Sequence, residues 1–166
     1  LTANGHQVWH QDSAGIADSA EPYDLFSTSL TAGDYNNDGL DDLAIGVPGE
    51  GIGYLDDAGA VNVIYGSVGN LNATGNQFWS QNSAGIEDSA EFGDEFGASL
   101  ASGDFDGDGI DDLAVGVPQE EIVPSVFNSG AVNIIRGSNA SLTSVSDRLI
   151  SQNTLNATGN PAEAHD

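Results

Sequence analysis

An all-β chain built from a repeated unit of short strands is predicted by three features of these 166 residues. The apolar runs are brief, rich in Val, Ile, Leu and Phe, and bounded by Gly, Pro, Asn or Asp, which is the pattern of strands separated by turns. No helical spacing of apolar residues is sustained. The sequence also repeats: Val8-Trp9-His10-Gln11-Asp12-Ser13-Ala14-Gly15-Ile16 returns as Phe78-Trp79-Ser80-Gln81-Asn82-Ser83-Ala84-Gly85-Ile86, a period of about 70 residues.

The repeat continues through Ser29-Leu30 and Ser99-Leu100, Leu43-Ala44-Ile45-Gly46-Val47-Pro48 and Leu113-Ala114-Val115-Gly116-Val117-Pro118, and Gly59-Ala60-Val61-Asn62-Val63-Ile64 and Gly130-Ala131-Val132-Asn133-Ile134-Ile135. Each unit reads as four strands, at 26–33, 42–47, 60–65 and 77–81 in the first copy and at 96–103, 112–117, 131–136 and 148–152 in the second. Four short strands per unit are the make-up of a β-propeller blade. A lone blade leaves apolar faces wet and buries them only by stacking on its neighbours. The expected architecture is therefore two full blades of four antiparallel strands with partial flanking strands. Residues 1–25 supply the outer strand of a preceding blade, centred on 6–11, and a lead-in loop. The first blade is 26–82, the second with its lead-in is 83–153, and 154–166 lead towards a further blade, because Ile150-Ser151-Gln152-Asn153 begins a third copy. This phase predicts either a segment of a longer propeller or a protomer completed by other copies through strand exchange.

With 39% apolar residues, the chain can build a packed core. It carries 26 acidic residues against two basic ones, Arg136 and Arg148, and a formal charge of −24, so nucleic acid and anionic membrane surfaces repel it. Two bound Ca²⁺ leave −20 of that charge, so many carboxylates must be solvated. Cysteine is absent, which excludes a disulfide framework and thiolate chemistry. No apolar run approaches the roughly 18 residues of a membrane span.

The most specific chemistry lies in Asp34-Tyr35-Asn36-Asn37-Asp38-Gly39-Leu40-Asp41-Asp42 and Asp104-Phe105-Asp106-Gly107-Asp108-Gly109-Ile110-Asp111-Asp112. Oxygen-bearing side chains fall on alternate residues, followed by glycine at the bend. Asp34, Asn36, Asp38 and Asp42, and in the second copy Asp104, Asp106, Asp108 and Asp112, can converge on one hard cation, with the carbonyls of Leu40 and Ile110 added. Two Ca²⁺ sites are expected. An EF-hand is excluded because Ile45 and Val115 occupy the place of its closing glutamate, and a strand follows instead of a helix. Asn36 gives the first loop three carboxylates where the second has four, so the first is expected to bind more weakly. The ion's role is structural, tying a hairpin whose carboxylates otherwise repel.

These residues together resemble the FG-GAP repeats of the integrin α-subunit β-propeller and its bacterial relatives. Phe96-Gly97 stands as the FG element, Gly46-Val47-Pro48 and Gly116-Val117-Pro118 stand near the GAP element, and the Asp-rich loop lies between them. The first copy departs with Phe26-Ser27, and both copies carry valine for the family's alanine. The resemblance implies a propeller of about seven blades, with calcium in the hairpin between the first two strands of a blade and a role in extracellular adhesion or recognition.

Other motifs are weaker. Trp9 and Trp79 occupy the same place in two repeats, which fits outer-strand packing better than sugar stacking. His6, His10 and His165 have no repeated metal-ligand context. Glu120-Glu121 and Asp56-Asp57 are adjacent pairs, whereas glycosidase chemistry needs two carboxyls held across a cleft. Neither a nucleophile triad, a phosphate loop nor a basic patch is present. Asn72, Asn139 and Asn156 head formal glycosylation sequons. Loops 49–58 and 119–129 diverge most between copies and are candidate recognition surfaces.

The expectation is thus a non-catalytic, calcium-binding module, secreted or at the cell surface, that serves adhesion, protein recognition or scaffolding. Its expected partners are further blades in the same polypeptide or in other copies, with an extracellular protein or glycan as ligand, no nucleic acid and no membrane insertion. The alternatives are an accessory part of a secreted hydrolase and a self-assembling structural protein.

Overall fold

The computed structural model describes residues 5–122 and 127–152. Eight strands form two four-stranded antiparallel sheets. The first sheet is β1 (Ser29–Gly33), β2 (Asp42–Val47), β3 (Ala60–Ser67) and β4 (Asn70–Trp79), and the second is β5 (Ser99–Gly103), β6 (Asp112–Val117), β7 (Ala131–Arg136) and β8 (Thr143–Ser151), each a meander in chain order. Among the described residues no helix separates the strands, and the two sheets are the predicted blades.

The register explains why the strands read as continuous apolar runs instead of alternating ones. Ala44 pairs with Val63 and Gly46 with Val61, which in turn pairs with Trp79. On this face Ala44, Val61, Val63 and Trp79 pack with Phe96, Leu113, Val115 and Ile135 in a core shared by the two sheets. The opposite face of the first sheet offers Ile45 and Ile64, which pack with Ile16, Trp9 and Phe26. A strand buried on both faces reads as a near-continuous apolar run. Both tryptophans therefore serve packing, as their repeated position predicts.

The sheets are joined by backbone as well as by side chains. Glu95 and Phe96 donate their N–H groups to the carbonyls of Asp57 and Ala58, both at 3.0 Å, and Ser29 Oγ donates to Gly97 O at 2.6 Å. Contact this close requires glycine on both sides. A Cβ on Gly46 would lie 2.1 Å from Gly97 O, and one on Gly97, whose φ is +91°, would lie 2.5 Å from Ala60 O. The Phe-Gly element is thus a docking turn, and the first strand of each blade begins three residues later than predicted, at Ser29 and Ser99. The left-handed residues Leu25, Ser27, Glu95 and Gly97 cannot continue a strand there.

The fourth strands run longer than expected. β4 starts at Asn70 after a two-residue turn at Val68-Gly69, and β8 starts at Thr143. Polar composition hid these extensions, since four of the ten residues of β4 are exposed. Residues 6–11, expected as an outer strand, form none. The side chain of Gln7 instead exchanges two hydrogen bonds with the Leu71 backbone at 2.8 and 2.9 Å, holding the segment without a strand ladder. The expected third-copy residues from 153 onward lie outside the described residues. The lead-in loops are pinned by buried asparagines: Asn62 Nδ2 donates to Ala17 O at 3.1 Å and Asn133 Nδ2 to Glu87 O at 3.2 Å.

Candidate metal centre

The two Asp-rich segments are the β1–β2 and β5–β6 hairpins, and their side chains curl inward on the loop's own backbone. Asp34 accepts from the N–H groups of Asp38 (3.0 Å) and Gly39 (2.9 Å), Asn36 Oδ1 from Asp38 N–H (2.9 Å), and Asp38 from Leu40 N–H (2.9 Å). The second loop repeats the pattern: Asp104 accepts from Asp108 and Gly109 N–H, both at 3.0 Å, Asp106 from Asp108 N–H (3.1 Å), and Asp108 from Ile110 N–H (2.9 Å). These bonds hold the carboxylates against the loop's own backbone. Oxygens of Asp104, Asp106 and Asp108 lie within 4.8 Å of one another, a spread that one cation with ligand distances of about 2.3–2.6 Å can bridge.

The last acids of the set differ from the rest. Asp42 and Asp112 are each 1% exposed and anchor the loop to the strands. Asp42 accepts from Tyr35 N–H (3.0 Å) and Gly66 N–H (2.8 Å), and Asp112 from Phe105 N–H (3.1 Å) and Gly137 N–H (2.9 Å). Burial, reinforced by Asp38 and Asp34, pushes the Asp42 carboxyl up to about 6. Both oxygens of Asp42 and Oδ1 of Asp112 retain a second lone pair for a metal, whereas Asp112 Oδ2 accepts from Arg136 as well as from Phe105. The side chains of Leu40 and Ile110 lie against Gly66 and Gly137, which anchors the positions whose carbonyls complete the expected set.

Two features of the site were not read from the sequence. Arg136 Nη1 stands 2.7 Å from Asp112 and 3.4 Å from Asp106. Its counterpart in the first repeat is Tyr65, so the extra carboxylate of the second loop is met by a built-in cation. The available signal was the repeat register, which sets Arg136 24 residues after Asp112 as Tyr65 almost sets itself against Asp42. Second, the first loop belongs to both sheets. Asp34 N–H donates to Asp111 Oδ2 at 3.1 Å, Ser138 N–H to Tyr35 O at 3.2 Å, and Asn37 Nδ2 to Asn139 Oδ1 at 2.7 Å. Tyr35 itself is fully buried in the shared core.

The lead-in loops and the turns after β2 and β6 together carry a second set of acids. Asp18, Glu21 and Glu50 form one group, and Glu91, Asp94 and Glu120 another. Glu50 and Glu120 are each 1% exposed and receive hydrogen bonds from Gln11 and Gln81. Burial, with acidic neighbours, raises Glu50 to about 8 and Glu120 to about 7. Glu50 also borders a cleft of about 530 Å³ with Glu21, Asp24, Asp56 and Asp57. Within loop 49–58 Tyr54 is fully exposed, whereas Asp56 to Ala58 hold the second blade's lead-in. Residues 123–126 of the other candidate recognition loop lie outside the described residues. No described helix is long and apolar enough to cross a membrane.

Two stacked meanders, each with an acidic first hairpin and joined by the docking turn at Phe96-Gly97, define a β-propeller repeat protein. Comparison with known proteins carries this further: the FG-GAP repeat family matches at residues 26–64 and 96–132, so the chain is an FG-GAP repeat protein. Phosphatidylinositol-glycan-specific phospholipase D of Rattus norvegicus is 34% identical over 109 residues, covering 65% of this chain and 12% of that protein. Integrin alpha-M of Mus musculus is 36% identical over 117 residues, covering 68% and 9%. Integrin alpha-PS2 of Drosophila melanogaster is 36% identical over 140 residues, covering 81% and 8%. The chain thus spans about a tenth of the length of these relatives.

Proposed function

We propose that this chain is a calcium-stabilised, non-catalytic extracellular propeller module for recognition or scaffolding, secreted or held at a cell surface, and assembled with further blades of the same polypeptide or of other copies. The observation that supports it most is the pair of hairpin loops whose carboxylates are already turned inward, in the same register, by their own backbone. Asp34, Asn36, Asp38 and Asp42 would hold one Ca²⁺ and Asp104, Asp106, Asp108 and Asp112 the other, with the carbonyls of Leu40 and Ile110. Calcium would supply charge neutralisation there, letting hairpins rich in like charge stay closed. Because the first loop also grips the second sheet, its ion would strengthen the interface between blades as well as one hairpin. An extracellular protein or glycan is the expected ligand class.

Millimolar calcium and a dissociation constant of about 10⁻⁴ to 10⁻³ M per loop correspond to about 0.7–1.8 kcal/mol of stabilisation each. For a domain of this size that raises the melting temperature by about 3–14 °C for two loops. Calorimetry in 2 mM Ca²⁺ and in excess chelator tests it, and equal melting temperatures would refute the reading. A second reading, an accessory part of a secreted hydrolase, draws on the relatives named as a phospholipase D. It predicts a catalytic constellation elsewhere in the same polypeptide.

A further inference from the structure

Beside the hairpin loops, the fold assembles a second kind of acidic centre from elements far apart in sequence. Glu91 and Asp94 come from the lead-in to the second blade, Glu120 from the turn after β6, and Gln81 from the end of the first blade. Oxygens of the three acids lie within 4.8 Å of one another. Asp94 is 2% exposed and Glu120 1%. A buried carboxylate normally has a cationic partner, yet both described salt bridges of the molecule belong to Arg136, at Asp106 and Asp112. Three acids with no guanidinium or ammonium among them leave a site of concentrated negative charge.

Gln81 supplies an independent sign. It is 1% exposed, and its side chain reaches into the cluster, where Nε2 donates to Glu120 Oε2. Its Oε1, bonded to the same carbon, is buried and has no hydrogen-bond partner. A buried amide oxygen without a donor is uncommon in a folded protein, and oxygen of this type is a regular ligand for hard cations. Among the described residues, the cluster therefore holds a neutral donor atom with no hydrogen-bond partner, next to three carboxylates with no cationic partner. The same residue types recur at Gln11, Glu21, Asp24 and Glu50 in the first repeat.

We propose that Glu91, Asp94, Glu120 and the amide oxygen of Gln81 bind a hard divalent cation, Ca²⁺ by its all-oxygen ligand set, at a centre separate from the hairpin loops. An ion there links the end of the first blade, the lead-in and the second blade, fastening the segment from which Phe96-Gly97 docks.

The test counts calcium ions bound to the full chain by equilibrium dialysis at several millimolar free Ca²⁺. It compares the unaltered protein, Glu120→Gln, and a variant whose hairpin loops are disabled by Asp34→Asn, Asp38→Asn, Asp104→Asn and Asp108→Asn. Glutamine is isosteric with Glu120 and uncharged, so the fold is retained, which circular dichroism verifies. The expected result is the loss of one bound ion on Glu120→Gln, in the unaltered chain and in the loop variant alike, with a loop variant that still binds calcium. Where the loop variant does not fold, the comparison of unaltered chain with Glu120→Gln decides alone. An unchanged count on Glu120→Gln, or a folded loop variant that binds no calcium, overturns the proposal. Failure of the hairpin reading has a different signature, a loop variant that binds as many ions as the unaltered protein.

Discussion

The blade junction yields the sharpest quantitative prediction, because two glycines with the same backbone strain differ only in what surrounds them. Gly97 has φ +91° and Gly69 has φ +93°. A methyl group on Gly69, in the β3–β4 turn, meets nothing within 4 Å, whereas on Gly97 it falls 2.5 Å from the carbonyl oxygen of Ala60. Both alanine substitutions incur the left-handed cost of about 1–2 kcal/mol. Gly97→Ala also forces the docking turn away from β3, an overpacking cost of about 1–3 kcal/mol, and backbone cannot move aside as a flexible side chain can. Retreat of the turn pulls Phe96, which is wholly buried, from the shared core. Urea denaturation followed by tryptophan fluorescence should therefore give a loss of about 2–5 kcal/mol for Gly97→Ala and about 1–2 for Gly69→Ala. Equal losses in the two variants would refute the claim that a backbone-to-backbone fit joins the blades.

Four further outcomes follow from the same geometry. Arg136→Gln removes the built-in cation beside Asp106 and Asp112, so calcium affinity at the second loop rises severalfold in titration calorimetry; weaker binding would show that Arg136 supports the ion instead of competing with it. Tyr65→Phe leaves the Leu142 N–H, now 3.1 Å from the phenol oxygen in the blade interface, without its acceptor, for a loss of about 1–3 kcal/mol measurable by chemical denaturation. In calcium-free buffer the raised carboxyls of Glu50 and Glu120 make the folded state bind more protons than the unfolded one between about pH 4.5 and 8. Stability then rises as pH falls from 8 towards 5, by on the order of a few kcal/mol; urea midpoints at the two pH values check this, and Glu50→Gln with Glu120→Gln flattens the slope. Asn133→Ala frees the lead-in at Glu87 and costs about 1–3 kcal/mol, read as a lower melting temperature.

Much of this molecule is legible in one dimension because its determinants are local and duplicated. The strand cores β2, β3, β6 and β7 lie where short apolar runs between turn residues put them. The alternation of oxygen-bearing residues from Asp34 to Asp42 and from Asp104 to Asp112 marks the two acidic hairpins by spacing alone. The repeat identifies blades because the same apolar pattern, written twice, needs the same neighbour twice.

What the tertiary structure decided is everything that depends on a partner distant along the chain. Phe96-Gly97 reads as the start of a strand, yet left-handed φ angles and the carbonyls of Asp57 and Ala58 turn it into a dock. β4 and β8 gain residues from a cross-strand ladder that polar side chains do not announce. Arg136 is one of two basic residues in the sequence, and only the β6–β7 register brings it to Asp112. Glu91, Asp94 and Glu120 carry no motif, since their meeting depends on how a lead-in loop folds against the turn after the second strand. Spacing encodes what a hairpin does with its own atoms, whereas the stacking of sheets fixes which charges face each other, because electrostatic and steric contact depend on distance in space and not on distance along the chain.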